Sequence, residues 1–218
     1  MDSKYSEHKS VCQCISDSSE IIKLLRQNQS CELEARLGTM LNHKFIPGVQ
    51  REMMDHILLM MQKSPYVNGD DEWREELDCY FTHEGKQLRT RVLYDSDTMN
   101  IISETTEKKL IKSHTFTTNT QKMGTDIRIS LKTENEILNP PSSTNPTLVR
   151  IKQHRRFITL NQVWAFDFSM TWSGQTRSEA ETKQMESDPV FEIECELIES
   201  SETLDKYDDD YIACSILL

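Results

Sequence analysis

The sequence lacks the features that mark several common protein classes. No apolar run reaches the ~18 residues that a membrane-spanning helix needs, and residues 1–10 contain no hydrophobic signal segment. We therefore expect neither a membrane span nor secretion. A phosphate-binding P-loop, Gly-x4-Gly-Lys-Ser/Thr, is absent, and so is the Cys-x5-Arg loop of cysteine phosphatases. Neither P-loop hydrolysis nor covalent cysteine chemistry is therefore expected.

A disulfide framework is not expected either. The chain has only six cysteines in 218 residues, without the repeated spacing of small disulfide-rich domains. With 36% hydrophobic and 28% charged residues it is polar, but it is long enough for one domain with a closed core. We expect reduced thiols, as in a cytosolic or nuclear protein, at Cys12, Cys14, Cys31, Cys79, Cys195 and Cys214.

Positive charge is scarce overall but concentrated in one segment. Acidic residues outnumber basic ones by 36 to 25, a net charge of -11, which argues against binding a long nucleic acid through bulk electrostatics. Residues 137–166 nevertheless contain no acidic side chain, whereas residues 179–210 contain thirteen. This distribution indicates a small anionic ligand in a basic pocket. The basic segment contains Arg150, Lys152, Arg155 and Arg156.

Apolar periodicity predicts two helices, at residues 16–29 and 47–63. The second helix has a methionine-rich stripe that we expect in the core, since methionine readily fills gaps between packed elements. Proline-rich residues 139–146 and polar residues 173–178 are typical of loops. The stripe consists of Val49, Met53, Ile57, Met60 and Met61.

Eight further segments have strand character. Short turns between them, such as Glu84-Gly85, indicate antiparallel neighbours. Eight strands suffice to close a barrel. The segments are 31–38, 74–83, 86–94, 101–112, 125–134, 148–160, 162–172 and 190–198.

Alternation along two of these segments collects charge on one face. Residues 31–37 place Glu32, Glu34 and Arg36 opposite a row of apolar side chains, and residues 191–197 do the same with three glutamates. Glutamates ~6.5–7 Å apart on one strand face repel each other. Either this face is the solvated outside of a β-sandwich, or it lines a barrel whose interior is charged.

The barrel alternative carries a chemical prediction. Closing the sheet would bring the first and last strands side by side, so that Glu32, Glu34 and Glu196 could converge on one cation. Carboxylate oxygens are the ligands that hard divalent cations prefer. The methionine-striped helix would then cover an apolar outer face of the barrel.

The chain resembles the triphosphate tunnel metalloenzymes in two glutamate motifs near its ends, E-L-E-A-R-L-G at 32–38 and E-I-E-C-E at 192–196. More closely, it resembles the metal-dependent RNA 5′-triphosphatases of fungal, protozoan and viral mRNA capping, from Cys31 to Ile198. Other similar segments follow in the family's order. They are F-I-P-G-V at 45–49 before a helix, L-R-T-R-V at 88–92, D-I-R-I-S at 126–130, and Trp164 with Asp167.

The resemblance implies a mainly β (α+β) fold, a closed eight-stranded antiparallel β-barrel called the triphosphate tunnel, with helices packed outside. Its domains would be an N-terminal helical segment at 1–30, the catalytic tunnel domain at 31–200 and a C-terminal tail or helix at 201–218. The implied activity is that of a polynucleotide 5′-phosphatase, which removes the γ-phosphate of 5′-triphosphate RNA and leaves a diphosphate end. The implied cofactor is Mg²⁺ or Mn²⁺, with nucleoside triphosphates as further expected substrates in manganese.

The partners implied by the resemblance follow from the same activity. They are the 5′-triphosphate end of nascent RNA and, as a candidate, mRNA guanylyltransferase, with no membrane. The sequence leaves open whether the chain is a monomer or a homodimer. A capping role implies localisation in the nucleus, although we find no targeting signal.

Site residues also follow from the resemblance, position by position. Glu134 would orient the attacking water, Glu192 and Glu194 would order water at the metal, Arg36 ends the first motif, and Asp167 would anchor an arginine. The implied metal ligands are Glu32, Glu34 and Glu196. The cations implied to clamp the triphosphate are Arg89, Arg91, Lys108, Arg128, Lys132, Arg150, Lys152, Arg155 and Arg156.

The sequence departs from the family pattern at a few positions. Ala165 stands where the family often has an arginine, so either Arg155 or Arg156 replaces it or one phosphate contact is missing. The spacing of basic residues in 150–156 is shifted, and a bulge there would decide which arginine points inward. Lys108 and its neighbour on the strand cannot both face the tunnel, and we expect Lys108 to do so.

Two other functions stay open. One is another tunnel-fold phosphohydrolase, such as an inorganic or thiamine triphosphatase of the CYTH-like kind, or a relative of the adenylate cyclases. Those typically end the first motif with lysine, so Arg36 favours the RNA enzymes. The other is a non-catalytic barrel that binds polyphosphate or a phosphopeptide, which would need the basic strands but not the convergent carboxylates.

Overall fold

The computed structural model describes residues 11–27, 31–70, 72–95, 100–117, 125–138, 145–198, 206–209 and 211–212. Most of this part of the chain is β-strand, with three helices. In chain order the elements are α1 Val11–Gln27, β1 Cys31–Leu41, β2 Lys44–Pro47, α2 Arg51–Lys63, β3 Val67–Gly69, β4 Arg74–His83, β5 Lys86–Asp95, β6 Asn100–Phe116, β7 Asp126–Glu136, β8 Leu148–Thr159, β9 Trp164–Gly174, α3 Arg177–Glu186 and β10 Val190–Leu197.

Eight of the strands close into a barrel. Around the barrel the order is β1, β7, β6, β5, β4, β8, β9 and β10, and β10 pairs again with β1. Every neighbouring pair is antiparallel. At the closing seam Glu34 lies opposite Glu196, and Arg36 lies opposite Glu194. The predicted eight-stranded barrel is therefore confirmed, and the β-sandwich alternative is wrong.

The apolar core lies outside the barrel, between its strands and the helices. On α1, Ile22 packs into a cluster with Leu33 of β1. On α2, Met54 packs with Phe168 of β9, and on α3, Ala180 packs against β8 and β9. Because the helices cover the apolar faces of these strands, the opposite, charged faces form the interior. The outer helix predicted from the methionine stripe is thus present.

Helix α2 nevertheless differs in detail from the prediction. It begins at Arg51 and not at residue 47, because Lys44–Pro47 pairs with β1 as strand β2 and Gly48 has a φ of 131°. The predicted stripe is confirmed in part, since Val49, Ile57 and Met61 pack against the cluster of Met54 and Phe168. Met54, which was not assigned to it, is 2% exposed, whereas Met60 is 53% exposed. The buried face of α2 therefore lies to one side of the predicted stripe and includes Met54 in place of Met60.

Three elements were not predicted from the sequence. Strands β2 and β3 have four and three residues, too few for an alternation to be recognised. Helix α3 begins inside the predicted loop at 173–178. Thr176 caps it by accepting a hydrogen bond from the backbone N–H of Glu179 at 3.2 Å, but Ala180 is its only buried residue. A helix that is polar on almost every face leaves no apolar periodicity to detect.

The described residues also give information on membrane crossing and on the cysteine thiols. None of the described helices combines the length and the apolar character that crossing a membrane would demand. Cys79 and Cys195 carry free thiols, and burial raises the pKa of the Cys195 thiol well above its ordinary value. Outside the described residues lie the thiols of Cys12 and Cys14, all of Cys214, and residues 139–144 of the predicted proline-rich loop.

Candidate active site

A cavity of about 500 Å³ lies inside the barrel and has almost only charged side chains in its wall. Among the described residues this wall contains ten carboxylates, seven Arg or Lys, one histidine and one tyrosine. Strand alternation is the reason, since one face of each strand points inward. The lining residues are Glu32, Glu34, Arg36, Glu76, Asp78, Tyr80, Arg89, Arg91, Glu104, Lys108, Glu134, Arg150, Lys152, His154, Arg156, Asp167, Glu192, Glu194 and Glu196.

The closing seam carries a cluster of ion pairs. Glu34, 5% exposed, pairs with Lys132 and lies 3.1 Å from Nε of Arg36. Nη2 of Arg36 lies 3.1 Å from Glu194. Burial would raise the pKa of Glu194, but Arg36 and Lys152 outweigh it and hold that pKa at about 2. The carboxylates in turn raise the pKa of Arg36, although burial opposes this. Glu194 and Arg36 are therefore both charged at neutral pH.

Beside the seam, two carboxylates share one lysine. Nζ of Lys108 lies 3.2 Å from Oε2 of Glu32 and also contacts Glu134, which pairs with Arg89. Burial raises the pKa of Glu32 to about 7, and its hydrogen bond with Glu134 adds to the effect. Burial acts on Glu134 too, but the bond with Glu32 and the charge of Lys108 lower its pKa to about 2. The two carboxylates thus share one proton, which the pair loses as the pH rises through about 7.

The opposite wall is built around Glu76, whose side chain is 2% exposed. Its Oε1 lies 3.2 Å from Arg91 and 3.3 Å from Lys152, and its Oε2 lies 3.7 Å from His154. Arg91 also donates to Asp78, with Nε 3.0 Å from Oδ1. Burial would raise the pKa of Asp78, but the hydrogen bond and charge of Arg91 lower it. Each of these two carboxylates is thus paired with at least one cation of the wall.

Arg156 joins two strands of the wall. Its Nη1 donates to Asp167 at 2.8 Å and its Nη2 to Glu196 at 3.0 Å. Asp167 thus contacts an arginine, as expected of a residue that anchors one, and the arginine is Arg156. Deeper in the wall, Arg150 donates to Glu192 at 3.1 Å. Each basic side chain is thus already oriented by carboxylates before any ligand is present.

The structure brings most of the predicted site residues together. Lys132 does not line the cavity, but it contacts Glu34 from the same face of the sheet. Those in the cavity wall are Glu32, Glu34, Arg36, Arg89, Arg91, Lys108, Glu134, Arg150, Lys152, Arg156, Asp167, Glu192, Glu194 and Glu196.

Arg155 was predicted as a triphosphate contact, and that prediction is wrong. It points outward, donates Nε and Nη2 to the carbonyl oxygen of Asp70 at 3.0 and 2.6 Å, and lies 5.5 Å from the ring centre of Phe157. No bulge interrupts the pairing of β8, so plain alternation decides which residues point inward; the bulge lies in β6, between Leu110 and Lys112. The inward residues of β8 are Arg150, Lys152, His154 and Arg156.

Arg128 is also displaced from the predicted role. It is on the inner face of β7, but its guanidinium lies 4.4 Å from the ring centre of Phe45, and the cavity wall does not include it. Stacking on an aromatic ring fixes an arginine away from other partners. The choice between the two neighbouring lysines falls as expected, since Lys108 lines the cavity and Lys109 is exposed.

Ala165, at the usual arginine position, faces inward opposite Glu196 and is fully buried. Arg156 reaches the same carboxylate from the neighbouring strand. Of the two candidates to replace the missing arginine, Arg156 is therefore the one in position.

Five lining residues were not among the predicted site residues. The signal was present in part, because alternation along residues 74–83 sets three of them on one face, and His154 continues the row of Arg150 and Lys152. Without the register between β4 and β8, nothing in the sequence shows that this face points inward. The five residues are Glu76, Asp78, Tyr80, Glu104 and His154.

The implied metal fits this cavity in its donor chemistry. Carboxylates outnumber Arg and Lys in the described wall by ten to seven, so a triphosphate with about four negative charges needs additional positive charge there. The backbone register sets Glu34 beside Glu196, and Glu32 is on the same face.

Among the described residues, however, no three acidic, histidine or cysteine side chains converge as a metal site, because each of these carboxylates contacts a cation instead. A metal would have to displace Lys108, Lys132 and Arg156.

The metal-free protein is expected to be most stable near pH 5. Glu134 and Glu194 have pKa values of about 2, below the ordinary 4.5, so their stabilisation is complete above pH 4.5 and lost as the pH falls towards 2. This loss is on the order of 3 kcal/mol per carboxylate. Glu32, with a pKa of about 7, acts in the opposite sense and lowers stability as the pH rises from 4.5 to 7. Urea unfolding in EDTA at pH 3, 5 and 7.5 tests this, and stability that rises from pH 5 to 7.5 would contradict it.

Comparison with known proteins places this cavity in a recognised fold. No protein-family model matches the sequence, and no curated protein matches it. A solved structure of the S. pombe RNA triphosphatase Pct1 superposes with a TM-score of 0.67 at 14% identity, over 99% of this chain and 91% of that one. A structure of Pct1 in complex with the Spt5 CTD gives 0.64 at 15% identity, over 99% and 90%. The RNA triphosphatase domain of the mimivirus mRNA capping enzyme gives 0.58 at 14% identity, over 97% and 98%. The chain therefore has the tunnel fold of these RNA triphosphatases.

Proposed function

We propose that this chain is an mRNA capping RNA 5′-triphosphatase, which hydrolyses the γ-phosphate of 5′-triphosphate RNA to phosphate and diphosphate-ended RNA. The observation that carries the proposal is the charge pattern of the barrel interior: basic side chains on several strands face a carboxylate cluster at the closing seam. A non-catalytic polyphosphate site would need the cations alone. The shared fold with S. pombe Pct1 and the mimivirus enzyme supports the same assignment.

The basic residues would bind and orient the triphosphate. Arg91, Arg150 and Lys152 come from three neighbouring strands and are held at fixed angles by Asp78, Glu192 and Glu76. Guanidinium and ammonium groups that are oriented beforehand stabilise developing phosphate charge without reorganising. The proposed triphosphate cations in the wall are Arg89, Arg91, Lys108, Arg150, Lys152 and Arg156.

The carboxylates would hold the metal and the attacking water. Glu32, Glu34 and Glu196 are the proposed ligands of Mg²⁺ or Mn²⁺, which would supply positive charge at the γ-phosphate. Glu134 is ionised at neutral pH, because its pKa is about 2, so it can accept a hydrogen bond from water but is too weak a base to remove a proton before attack. Orientation of water in line with the scissile bond is the role that this pKa allows.

A covalent intermediate on cysteine is not part of the proposal. Cys195 is next to two of the acidic residues in sequence, but strand alternation turns its side chain out of the cavity. Burial also raises the pKa of its thiol, so the nucleophilic thiolate is scarce at neutral pH. Direct attack by water is therefore proposed.

Phosphate release from γ-labelled RNA, nucleoside triphosphate and inorganic tripolyphosphate, compared in Mg²⁺ and in Mn²⁺, tests the proposal. The proposed function predicts that RNA is the preferred substrate in Mg²⁺, with nucleotide turnover in Mn²⁺. Turnover of tripolyphosphate alone would favour an inorganic triphosphatase. Binding of tripolyphosphate without any turnover would identify a polyphosphate-binding barrel instead.

The place of action proposed for this chain is the nucleus, because capping acts on nascent transcripts. The diphosphate end it would leave is the substrate of an mRNA guanylyltransferase, which is the proposed partner. Fluorescence imaging of the tagged chain checks the first of these, and exclusion from the nucleus would contradict it. Co-purification with the guanylyltransferase of the same cell checks the second.

A further inference from the structure

A second cavity, of about 580 Å³, adjoins the tunnel through Arg156, which lines both. The side chains of Arg156 and its partner Glu196 are 36% and 30% exposed, whereas those of Glu34 and Glu76 further inside the tunnel are 7% and 2% exposed. Arg156 therefore lies at a mouth of the tunnel. We call the second cavity the mouth groove. It is formed by β3, the end of β8 and the turn between β8 and β9.

The mouth groove differs from the tunnel in its chemistry. It has two side-chain amides, Asn68 and Gln162, and exposed aliphatic surface that includes Leu160, 56% exposed. Neither amide is hydrogen-bonded to another described side chain. Its one carboxylate, Asp70, accepts a hydrogen bond from Arg74 at 3.2 Å. Amides can read the edge of a nucleobase, aliphatic side chains can cover its face, and the guanidinium groups carry positive charge beside it.

The mouth groove is also built rigidly. The backbone N–H of Asp70 donates to the carbonyl of Arg156 at 2.9 Å, and Arg155 donates twice to the carbonyl of Asp70. This contact gives a role to the arginine that does not face the tunnel. Across the groove, Gln162 has a φ of 56° and donates its backbone N–H to Thr159 at 2.8 Å. A left-handed conformation costs energy for glutamine, so the turn holds this residue in one place.

We propose that the mouth groove binds the 5′-terminal nucleoside of triphosphate-ended RNA while the triphosphate occupies the tunnel. The proposal rests on the proposed function. Continuity supports it, since Arg156 would contact the phosphate chain at the point where the nucleoside begins. Size supports it as well, because about 580 Å³ is within the range of nucleotide-sized sites. The groove takes one nucleoside, in keeping with the acidic net charge, which disfavours a long RNA footprint.

Replacing both amides, in N68A/Q162A, separates recognition of the nucleoside from recognition of the triphosphate. Loss of two hydrogen bonds to the base predicts a KM for triphosphate-ended RNA that is raised about tenfold. Turnover of inorganic tripolyphosphate is expected to change less than about twofold, because it has no base. Gln50→Ala, an exposed amide ahead of α2 without a side-chain cap contact, is the matched control and should change neither. Equal effects on both substrates, or none on RNA, would overturn the proposal.

A cross-linking experiment tests the same proposal without catalysis. Triphosphate-ended RNA with a photoreactive 6-thioguanosine as its first nucleotide, and with an imido group in place of the β–γ bridging oxygen so that it is not hydrolysed, is bound in Mg²⁺ and irradiated. The proposal predicts a cross-link within residues 158–162 or at Asn68, reduced by competing tripolyphosphate. A cross-link at Tyr80 or Glu104 would place the nucleoside elsewhere in the tunnel and overturn the proposal. If the wild-type chain neither releases phosphate nor cross-links RNA, the proposed function fails as well. Phosphate release together with a cross-link outside the groove would overturn only the assignment of the mouth groove as the nucleoside site.

Discussion

Replacing Glu34 with glutamine is expected to abolish phosphate release, lowering kcat roughly 1,000-fold, equivalent to about 4 kcal/mol of transition-state stabilisation. Glu34 is the most buried of the three proposed metal ligands and lies opposite Glu196 at the closing seam. Glutamine keeps the shape but removes the charge, so the cation that supplies charge at the γ-phosphate is no longer held. Steady-state phosphate release from triphosphate-ended RNA measures the loss.

The division of the effect between kcat and KM is informative. The variant frees Lys132 and Arg36 from an acidic partner, which makes the tunnel more positive. Binding of the triphosphate should therefore be kept or tightened while turnover is lost. If the cavity only collected polyanions, without chemistry at a metal, the same change would strengthen binding and cost nothing. Turnover that stays metal-dependent in Glu34→Gln would contradict the metal assignment.

The matched control is Glu107→Gln. Glu107 is a glutamate on barrel strand β6 beside Lys108, but it points outward and pairs with Lys86 at 3.0 Å. An outer ion pair of this kind contributes little to stability. The variant should keep activity within about twofold, which would show that loss in Glu34→Gln comes from its position inside the barrel.

Sequence alone was sufficient to predict the barrel and most of its charged wall. Glu32, Glu34 and Arg36 occupy one face of a strand whose other face is apolar, and the same holds for the last strand. Charge on one face and apolar side chains on the other are compatible with two folds, a β-sandwich with a charged outer face or a barrel with a charged interior. The resemblance to a known family, not the alternation, decided between them.

Register and competing partners could not be predicted in the same way. Arg155 and Arg156 are adjacent, and which one faces inward depends on a pairing of β8 that the sequence does not state. Arg128 is on the correct face, yet stacking on Phe45 takes it out of the cavity wall. Glu76 was missed for a related reason, because its partners Arg91 and Lys152 come from the two strands that flank β4, and the pairing of β4 with β8 is not evident from the sequence.

Replacing Lys152 with methionine is expected to lower kcat/KM for RNA at least about 100-fold. Lys152 is 13% exposed and pairs with Glu76. Burial alone would lower its pKa, but Glu194 and Glu76 raise it, so the lysine is fully charged at neutral pH. The variant removes a fixed cation from the triphosphate wall, and it also deprives a buried carboxylate of one of its partners. We therefore expect a loss of stability of about 3 kcal/mol as well.

The double variant K152M/E76Q separates these two effects. Glutamine at position 76 removes the buried charge that the single variant leaves undercompensated, so stability should return most of the way to that of the wild type. Activity should stay low, because the phosphate-binding cation is still missing. Urea unfolding and phosphate release are measured on the wild type, both single variants and the double variant. If activity recovered together with stability, Lys152 would be a partner that keeps the wall folded, and the triphosphate would depend on the remaining arginines. If K152M/E76Q is stable but inactive, Lys152 acts directly on the triphosphate, as proposed.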